Sequence, residues 1–127
     1  MLAQVLEKEF SQSGIVKKAD LKNDQSDYVL LVELNSFYGR WATVPQSFKP
    51  IYDINGNAEF SVRLISRKAD KTLFKKTYVG RTKSQVNQFR NKYGYCAIEA
   101  GKAFKEAVVK LMMDVEVALS GGKVSEY

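Results

Sequence analysis

The sequence predicts an α+β fold, in which a small antiparallel sheet of three to four strands carries an N-terminal helix and a long C-terminal helix on one face. Apolar residues recur at helical spacing near both ends of the 127-residue chain, whereas the middle alternates between apolar and polar residues as a strand does. The length predicts a single domain, which we place at residues 1–119, followed by a flexible tail at 120–127.

The first helix and the first strand differ clearly in pattern. An amphipathic helix is predicted by four apolar residues on one helical face: Leu2, Val5, Leu6 and Phe10. Gly14 is placed to end this helix. Residues 28–34 are rich in aromatic and β-branched side chains and are apolar on nearly both faces, which predicts a central strand covered on one side. Whether that strand continues through Phe37 and Tyr38 stays open.

The middle of the chain predicts a long connection followed by a strand. Residues 41–57 contain both prolines and end in the turn signal Asn55-Gly56-Asn57, so we expect a functional or mobile connection there. Residues 58–64 alternate strictly between apolar and polar side chains, which predicts a half-buried strand.

A hairpin is predicted next, with its turn at residues 68–71. One register places Leu73 and Val79 on the core face, and a shift of one residue places Phe74 and Tyr78 there instead. Both registers stay open, and each brings a lysine close to the rim of the core.

The strongest helical pattern covers residues 95–119, after a polar and basic stretch at 81–93. Its apolar positions alternate in steps of four and three along one seam: Ala97, Gly101, Phe104, Val108, Leu111, Val115 and Ala118. Glu106 and Lys110 are spaced for a supporting ion pair, and the glycines at 121 and 122 end the helix.

The composition excludes several kinds of chemistry. The chain has no histidine and one cysteine, which excludes histidine-based metal sites, Ser-His-Asp or Cys-His catalysis and an internal disulfide framework. We find no carboxylate pair in a recognisable motif and no phosphate-binding glycine loop. We therefore predict a protein that is not an enzyme and needs no cofactor or metal, in which Cys96 is a small buried residue.

Targeting signals do not settle the location. No apolar run is long enough to cross a bilayer, and the first residues lack the pattern of a secretory signal. Read literally, the chain is cytoplasmic. The alternative, that a targeting segment has been trimmed, stays open.

The positive charge is concentrated in one segment. Residues 63–92 hold ten basic residues and one acidic residue, a local charge of +9, while the rest of the chain has ten basic residues against thirteen acidic ones. Three interpretations stay open: a solvated sheet face, a surface for anionic lipid headgroups, and a nucleic-acid site. The residues predicted to bind anionic lipid or an acidic partner are Arg63, Arg67, Lys75, Lys76 and Arg81.

The last helix predicts self-association. A helix of about 25 residues is nearly 40 Å long, and three short strands are not expected to cover it. We therefore favour a homo-oligomer, whose contacts would come from the surplus apolar surface around Met113 and Val117 and from the long connection. The residues predicted to contact a partner or a second subunit are Trp41, Phe48, Tyr52, Met112 and Val115.

Several segments resemble a known family, the auxiliary lipoproteins of ABC-type transporters, which accompany lipid-transport systems with MCE domains. Residues 10–14 resemble the F-x-x-S-G end of their first helix, and residues 27–34 resemble their DY-x-L-x-x-E-L strand. Residues 60–65 with 71–73 resemble their ARLID…G-x-VL hairpin, and residues 100–112 are similar to their closing helix. The similarity covers about residues 2–119, and other envelope lipoproteins, including those with TolB-N-terminal-like domains, share the layout.

The resemblance implies a non-catalytic component of a bacterial cell-envelope transport complex, with lipid as the transported class. It implies self-association and contact with envelope transport proteins, at the periplasmic face of the outer membrane if an N-terminal signal was trimmed. A cytoplasmic nucleic-acid-binding domain, using residues 63–92, is the alternative.

Overall fold

The computed structural model describes residues 2–13, 26–44, 51–87 and 92–125. Its elements are α1 (Leu2–Ser13), β1 (Tyr28–Thr43), β2 (Tyr52–Ser66), β3 (Lys71–Val86) and α2 (Lys92–Leu119). The strands form one antiparallel sheet in the order β1-β2-β3, and α2 packs against it. The predicted α+β fold is therefore confirmed.

The core lies between α2 and one face of the sheet. Leu64 pairs with Leu30 on one side and with Phe74 on the other, so these three side chains share that face. Phe60 and Tyr78 are paired in the same way, with their rings 5.8 Å apart. Side chains from both helices complete this apolar cluster, including Leu6, Val108, Leu111 and Val115. We call the sheet face turned away from this cluster the open face.

The hairpin adopts the second of its two predicted registers. A four-residue turn at 67–70, with Asp70 in the left-handed region at φ 49°, joins β2 to β3. The pairing then shifts by one residue between Leu64 and Ile65, and this bulge skips Leu73. Phe74 and Tyr78 consequently point into the core.

The prediction that the first strand is central is wrong, because β2 is central and, among the described strands, β1 lies at an edge of the sheet. The strand is also longer than residues 28–34, since it runs through Trp41 to Thr43. β1 has apolar residues on both faces, but only one of these faces is covered by a helix in the described ranges. Leu31, on the open face, is 49% exposed. The predicted connection shrinks accordingly, and its residues 45–50 lie outside the described part of the chain.

The predicted turn at Asn55-Gly56-Asn57 is also wrong, because these residues lie within β2. Gly56 is directly below α2, where a Cβ would overlap the backbone carbonyl of Glu99, and Gly39 on β1 stands in the same relation to Cys96. These glycines let the helix backbone approach the sheet. Similarly, residues 81–86 complete β3 instead of standing outside the sheet.

The long helix begins three residues before the predicted start and ends where predicted. Its first half turns small side chains toward the sheet (Cys96, Ala100, Ala103 and Ala107), so the predicted seam is displaced and Ala97 and Gly101 are exposed. Cys96 is buried, as predicted. Glu106 and Lys110 form the predicted ion pair at 3.6 Å.

The end of α2 is capped by its two glycines. Gly121, at φ 88°, donates its N–H to Ala118, and Gly122 donates to Val117, which is the hydrogen-bond pattern of a Schellman motif. Val124 then returns to the apolar cluster and is buried. Within the predicted tail, Val124 therefore packs on the core, and residues 126–127 lie outside the described part of the chain.

Candidate functional site

The structure brings four of the five predicted anion-binding residues to one side of the sheet or to its adjoining turn. Arg63 and Lys75 are directly opposite each other on the open face, and Arg81 lies further along β3 on the same face. Arg67 lies in the turn that joins β2 to β3. Two cations placed directly opposite in a sheet make this end of the open face locally positive.

Lys76 is separated from the other four. It points toward α2, where its Nζ lies 3.0 Å from Asp114 Oδ2, and its side chain is only 17% exposed. The Tyr78 hydroxyl donates to the same carboxylate oxygen at 2.7 Å. The charge of Lys76 is therefore neutralised between β3 and α2 and does not contribute to the surface.

Apolar side chains lie beside the paired basic residues. One row across the sheet contains Leu31, Arg63 and Lys75, and the adjacent row contains Ile65. Arg63 Nε donates to Thr72 Oγ1 at 3.0 Å, which orients the guanidinium across β3. We call Leu31, Arg63, Ile65, Lys75 and the neighbouring Arg67 the turn-proximal patch.

A second basic group lies at the other end of the open face. Arg40 lies over the ring of Tyr38 at 4.4 Å, and it shares a row of the sheet with Lys83. Arg81 lies in the row of Tyr38, and its Nε donates to Asn57 Oδ1 at 3.4 Å. We call Tyr38, Arg40, Arg81 and Lys83 the distal cluster. Sequence reasoning missed Arg40, because a bulge after Leu34 reverses which residues of β1 face the open side.

Acidic residues are interspersed on the same face. Asp53 is 3.7 Å from Lys83 and accepts a hydrogen bond from Gln85, while Glu33 and Glu59 are exposed or half-buried in the rows between the two basic groups. The open face is thus a mixed surface with two separate basic regions; the turn-proximal region contains the exposed aliphatic Leu31, and the distal region contains the exposed ring of Tyr38.

The residues predicted to contact a second subunit do not all remain on the surface. Tyr52 and Val115 are 4% and 3% exposed, so both belong to the core of the subunit itself. Met112 is half-buried against the same core, and Phe48 lies outside the described residues. Trp41 is partly exposed on β1 and packs edge-on against Tyr52 at 5.8 Å.

Of the apolar residues of α2 predicted to contact a second subunit, Met113 and Val117 are exposed, whereas Met112 is half-buried and Val115 is buried. Met113 is 62% exposed, and Val109 and Val117 are also on the surface. Val109, Met113 and Val117 lie on the side of α2 that faces away from the sheet, so the exposed part of the predicted contact surface is Met113 and Val117.

Glu99 is a buried carboxylate between α2 and β3. Its Oε1 accepts a hydrogen bond from Lys102 at 3.1 Å, whereas its Oε2 is buried and lacks a hydrogen-bond partner among the described residues. Burial alone raises the pKa of the Glu99 carboxyl, but the Lys102 ammonium and the nearby hydroxyls of Ser84 and of Thr82, which donates its hydrogen bond at 3.0 Å to the Glu99 backbone carbonyl, outweigh burial, so the pKa lies below the usual 4.5.

We expect Glu99 to make the unfolding free energy depend on pH in the acidic range. Because its pKa is lower in the folded chain, its contribution is fully present above about pH 4.5 and is lost as the pH falls through the folded-state value. Urea unfolding between pH 3 and pH 7 should therefore show a smaller acid-dependent loss for E99Q. The matched control is E106Q, which removes a carboxylate that is 43% exposed on the same helix. Equal profiles for E99Q and the wild type would contradict this assignment.

In the part of the chain that the structure describes, no group of three or more cysteine, aspartate and glutamate residues is placed to hold a metal ion. None of the helices described is long and apolar enough to cross a membrane.

Comparison of the chain with models of protein families, with curated proteins and with solved structures found no match.

Proposed function

We propose that this chain is a non-catalytic component of a bacterial cell-envelope transport complex that docks on an anionic lipid surface through the turn-proximal patch. The observation that carries the docking proposal is the row of Leu31, Arg63 and Lys75, which combines an exposed apolar side chain with two adjacent cations. Peripheral membrane surfaces use this combination, because the cations attract anionic headgroups and the apolar group enters the interface.

The envelope setting is supported by the motif resemblance in residues 2–119. Its strand and hairpin segments fall in β1, β2 and β3, and its closing helix falls in α2. In this setting the patch would hold the domain against lipid headgroups, while self-association and contacts with envelope transport proteins would use other surfaces. The periplasmic face of the outer membrane is the location that this proposal entails.

The test is binding to phosphatidylcholine vesicles with and without phosphatidylglycerol, measured by co-sedimentation. We expect R63S/R67S/K75S to weaken binding to the anionic vesicles about 100-fold, since each basic residue near such a surface contributes about 1 kcal/mol. The matched control is R40S/R81S/K83S, which removes the same charge from the distal cluster. Lys76 is retained in both variants because it holds Asp114.

Two results would contradict the lipid proposal. Unchanged vesicle binding by R63S/R67S/K75S would exclude the turn-proximal patch as the lipid-binding site. Equal losses of binding in both triple variants would show that binding depends only on net charge. Circular dichroism confirms that each variant is folded.

A specific observation favours a second candidate function, the binding of single-stranded nucleic acid. The distal cluster places Arg40 on Tyr38 beside Arg81, and an aromatic ring flanked by cations is the usual platform for stacking bases. For this function R40S/R81S/K83S is the test variant and R63S/R67S/K75S is the control. Binding to a fluorescent oligonucleotide should fall steeply with salt and should be lost in R40S/R81S/K83S but kept in the patch variant. No binding at low salt would exclude this function.

A further inference from the structure

We propose that β1 pairs antiparallel with β1 of a second copy of this chain, which joins two three-stranded sheets into one six-stranded sheet. In the part of the chain that the structure describes, β1 pairs with β2 on one side only. The strand has 16 residues and is about 50 Å long, which makes this edge an extended row of backbone donors and acceptors. This inference does not rest on the proposed lipid contact, although Leu31 belongs to both surfaces.

The two edges of the sheet differ in how they are protected. β3 carries five basic residues and no acidic residue; Lys76 is paired with Asp114, and the other four would make two copies of β3 repel each other. In addition, Lys110 Nζ donates to the backbone carbonyl of Val79 at 2.9 Å, which engages a β3 carbonyl. Charges of this kind are how natural sheets block pairing at an edge. The β3 edge is therefore unsuited to self-pairing.

The β1 edge has the opposite character. Among its 16 residues, Glu33 and Arg40 are the only charged ones. Large apolar side chains are exposed along it instead: Tyr28, Leu31, Leu34, Phe37, Tyr38 and Trp41. An edge that lacks charged protection and exposes apolar groups on both sheet faces is complementary to a strand of the same kind.

The two charged residues of β1 are placed so that the strand complements itself. The bulge that skips Asn35 puts both Glu33 and Arg40 on the open face. With a two-fold axis at Phe37, and with the bulge residue skipped in each strand, Glu33 of each copy lies opposite Arg40 of the other. In the same register Leu34 lies opposite Gly39, and both belong to the helix-covered face.

This register keeps every opposed pair on one face of the sheet, which a one-residue shift would not do. It also makes two symmetry-related ion pairs, as an isologous contact requires. The charge complementarity of β1 with itself is what identifies the occupant of this edge as a second copy and not an unrelated strand.

The test uses charge reversal at both positions, with association measured by sedimentation at several concentrations. Alone, E33R brings two arginine side chains opposite each other across the seam, and R40E brings two glutamate side chains together. Each variant should therefore dimerise at least about tenfold more weakly than the wild type. An equimolar mixture of E33R and R40E restores attractive pairing and should dimerise at close to wild-type strength. The matched control E59R reverses a charge on the central strand and should leave the dimer unchanged.

Each outcome bears directly on the proposal. Weakening in both single variants with recovery in the mixture supports the β1 seam, and the recovery also proves that both variants are folded. A wild-type chain that remains monomeric up to millimolar concentration overturns the proposal. A dimer that is indifferent to E33R and R40E, or that the mixture does not restore, places the contact on another surface and also overturns it.

Discussion

G80A is expected to remove much of the stability of this domain. A Cβ at Gly80 would overlap the backbone carbonyl oxygen of Ala103 and would lie 3.1 Å from the amide nitrogen of Ala107. Both obstacles are helix backbone, which cannot rotate away as a side chain can. Accommodation requires lifting α2 from the sheet, so we expect a loss of about 3 kcal/mol or more in the unfolding free energy.

The measurement is chemical denaturation followed by circular dichroism. G101A is the matched control, because Gly101 lies on the exposed side of α2 and has no neighbouring atom within 4 Å of a built Cβ. There alanine should raise the unfolding free energy by about 0.5–1 kcal/mol through its better helix propensity. If G80A and G101A changed stability alike, α2 would not approach β3 as closely as described.

The second large effect is expected for D114A. Asp114 Oδ2 accepts hydrogen bonds from both Lys76 Nζ and the Tyr78 hydroxyl, and the side chains of Lys76 and Asp114 are 17% and 23% exposed. Removing the carboxylate leaves a partly buried ammonium and a buried hydroxyl without this acceptor. We expect a loss of about 2–4 kcal/mol in the unfolding free energy, measured by urea denaturation.

Y78F separates the two bonds, because it removes the hydroxyl but leaves the ion pair. We expect Y78F to be milder than D114A, and the double variant D114A/Y78F should cost less than the sum of the two single changes, as coupled neighbours do. Strict additivity would mean that the Tyr78–Asp114 hydrogen bond contributes nothing.

Tyr78 also predicts a loss of stability in alkali. Burial, and then the hydrogen bond to Asp114, raise the pKa of Tyr78 above its ordinary value of 10. Stability associated with this group is therefore fully present below about pH 10 and is lost as the pH rises beyond that value. In Y78F this alkaline loss should be smaller.

How far the sequence predicts this fold differs from element to element. The C-terminal end of α2 and the strand at residues 58–64 follow from local periodicity alone, and both are observed. The hairpin register does not follow, because Leu73 and Phe74 are equally apolar. The bulge beside Ile65 decides between them by placing Phe74 and Tyr78 under α2.

The glycines mark another limit of the sequence pattern. Asn55-Gly56-Asn57 has the composition of a turn, yet Gly56 lies at a point where the backbone of α2 comes very close to β2. A tight turn and a close contact with a helix backbone both require a residue without a side chain, and glycine is that residue. Only the position of α2 distinguishes the two causes.

The candidate site shows the same division. Its basic residues are visible as a charge concentration in residues 63–92, but their distribution over two faces is not. Strand alternation assigns each residue to a face only when the register is known, and each of the two bulges reverses the assignment beyond it. Lys76 therefore turns inward to Asp114, and Arg40 joins the open face beyond the bulge in β1.

The sequence by itself determined the α+β class, the two helices, the alternating central strand and the burial of Cys96, because each depends on spacing along a single segment. The tertiary structure alone decided which strand is central, which basic residues share a surface and why three glycines lie in the sheet. Those features depend on contacts between segments far apart in the chain, and local pattern does not encode which segments meet.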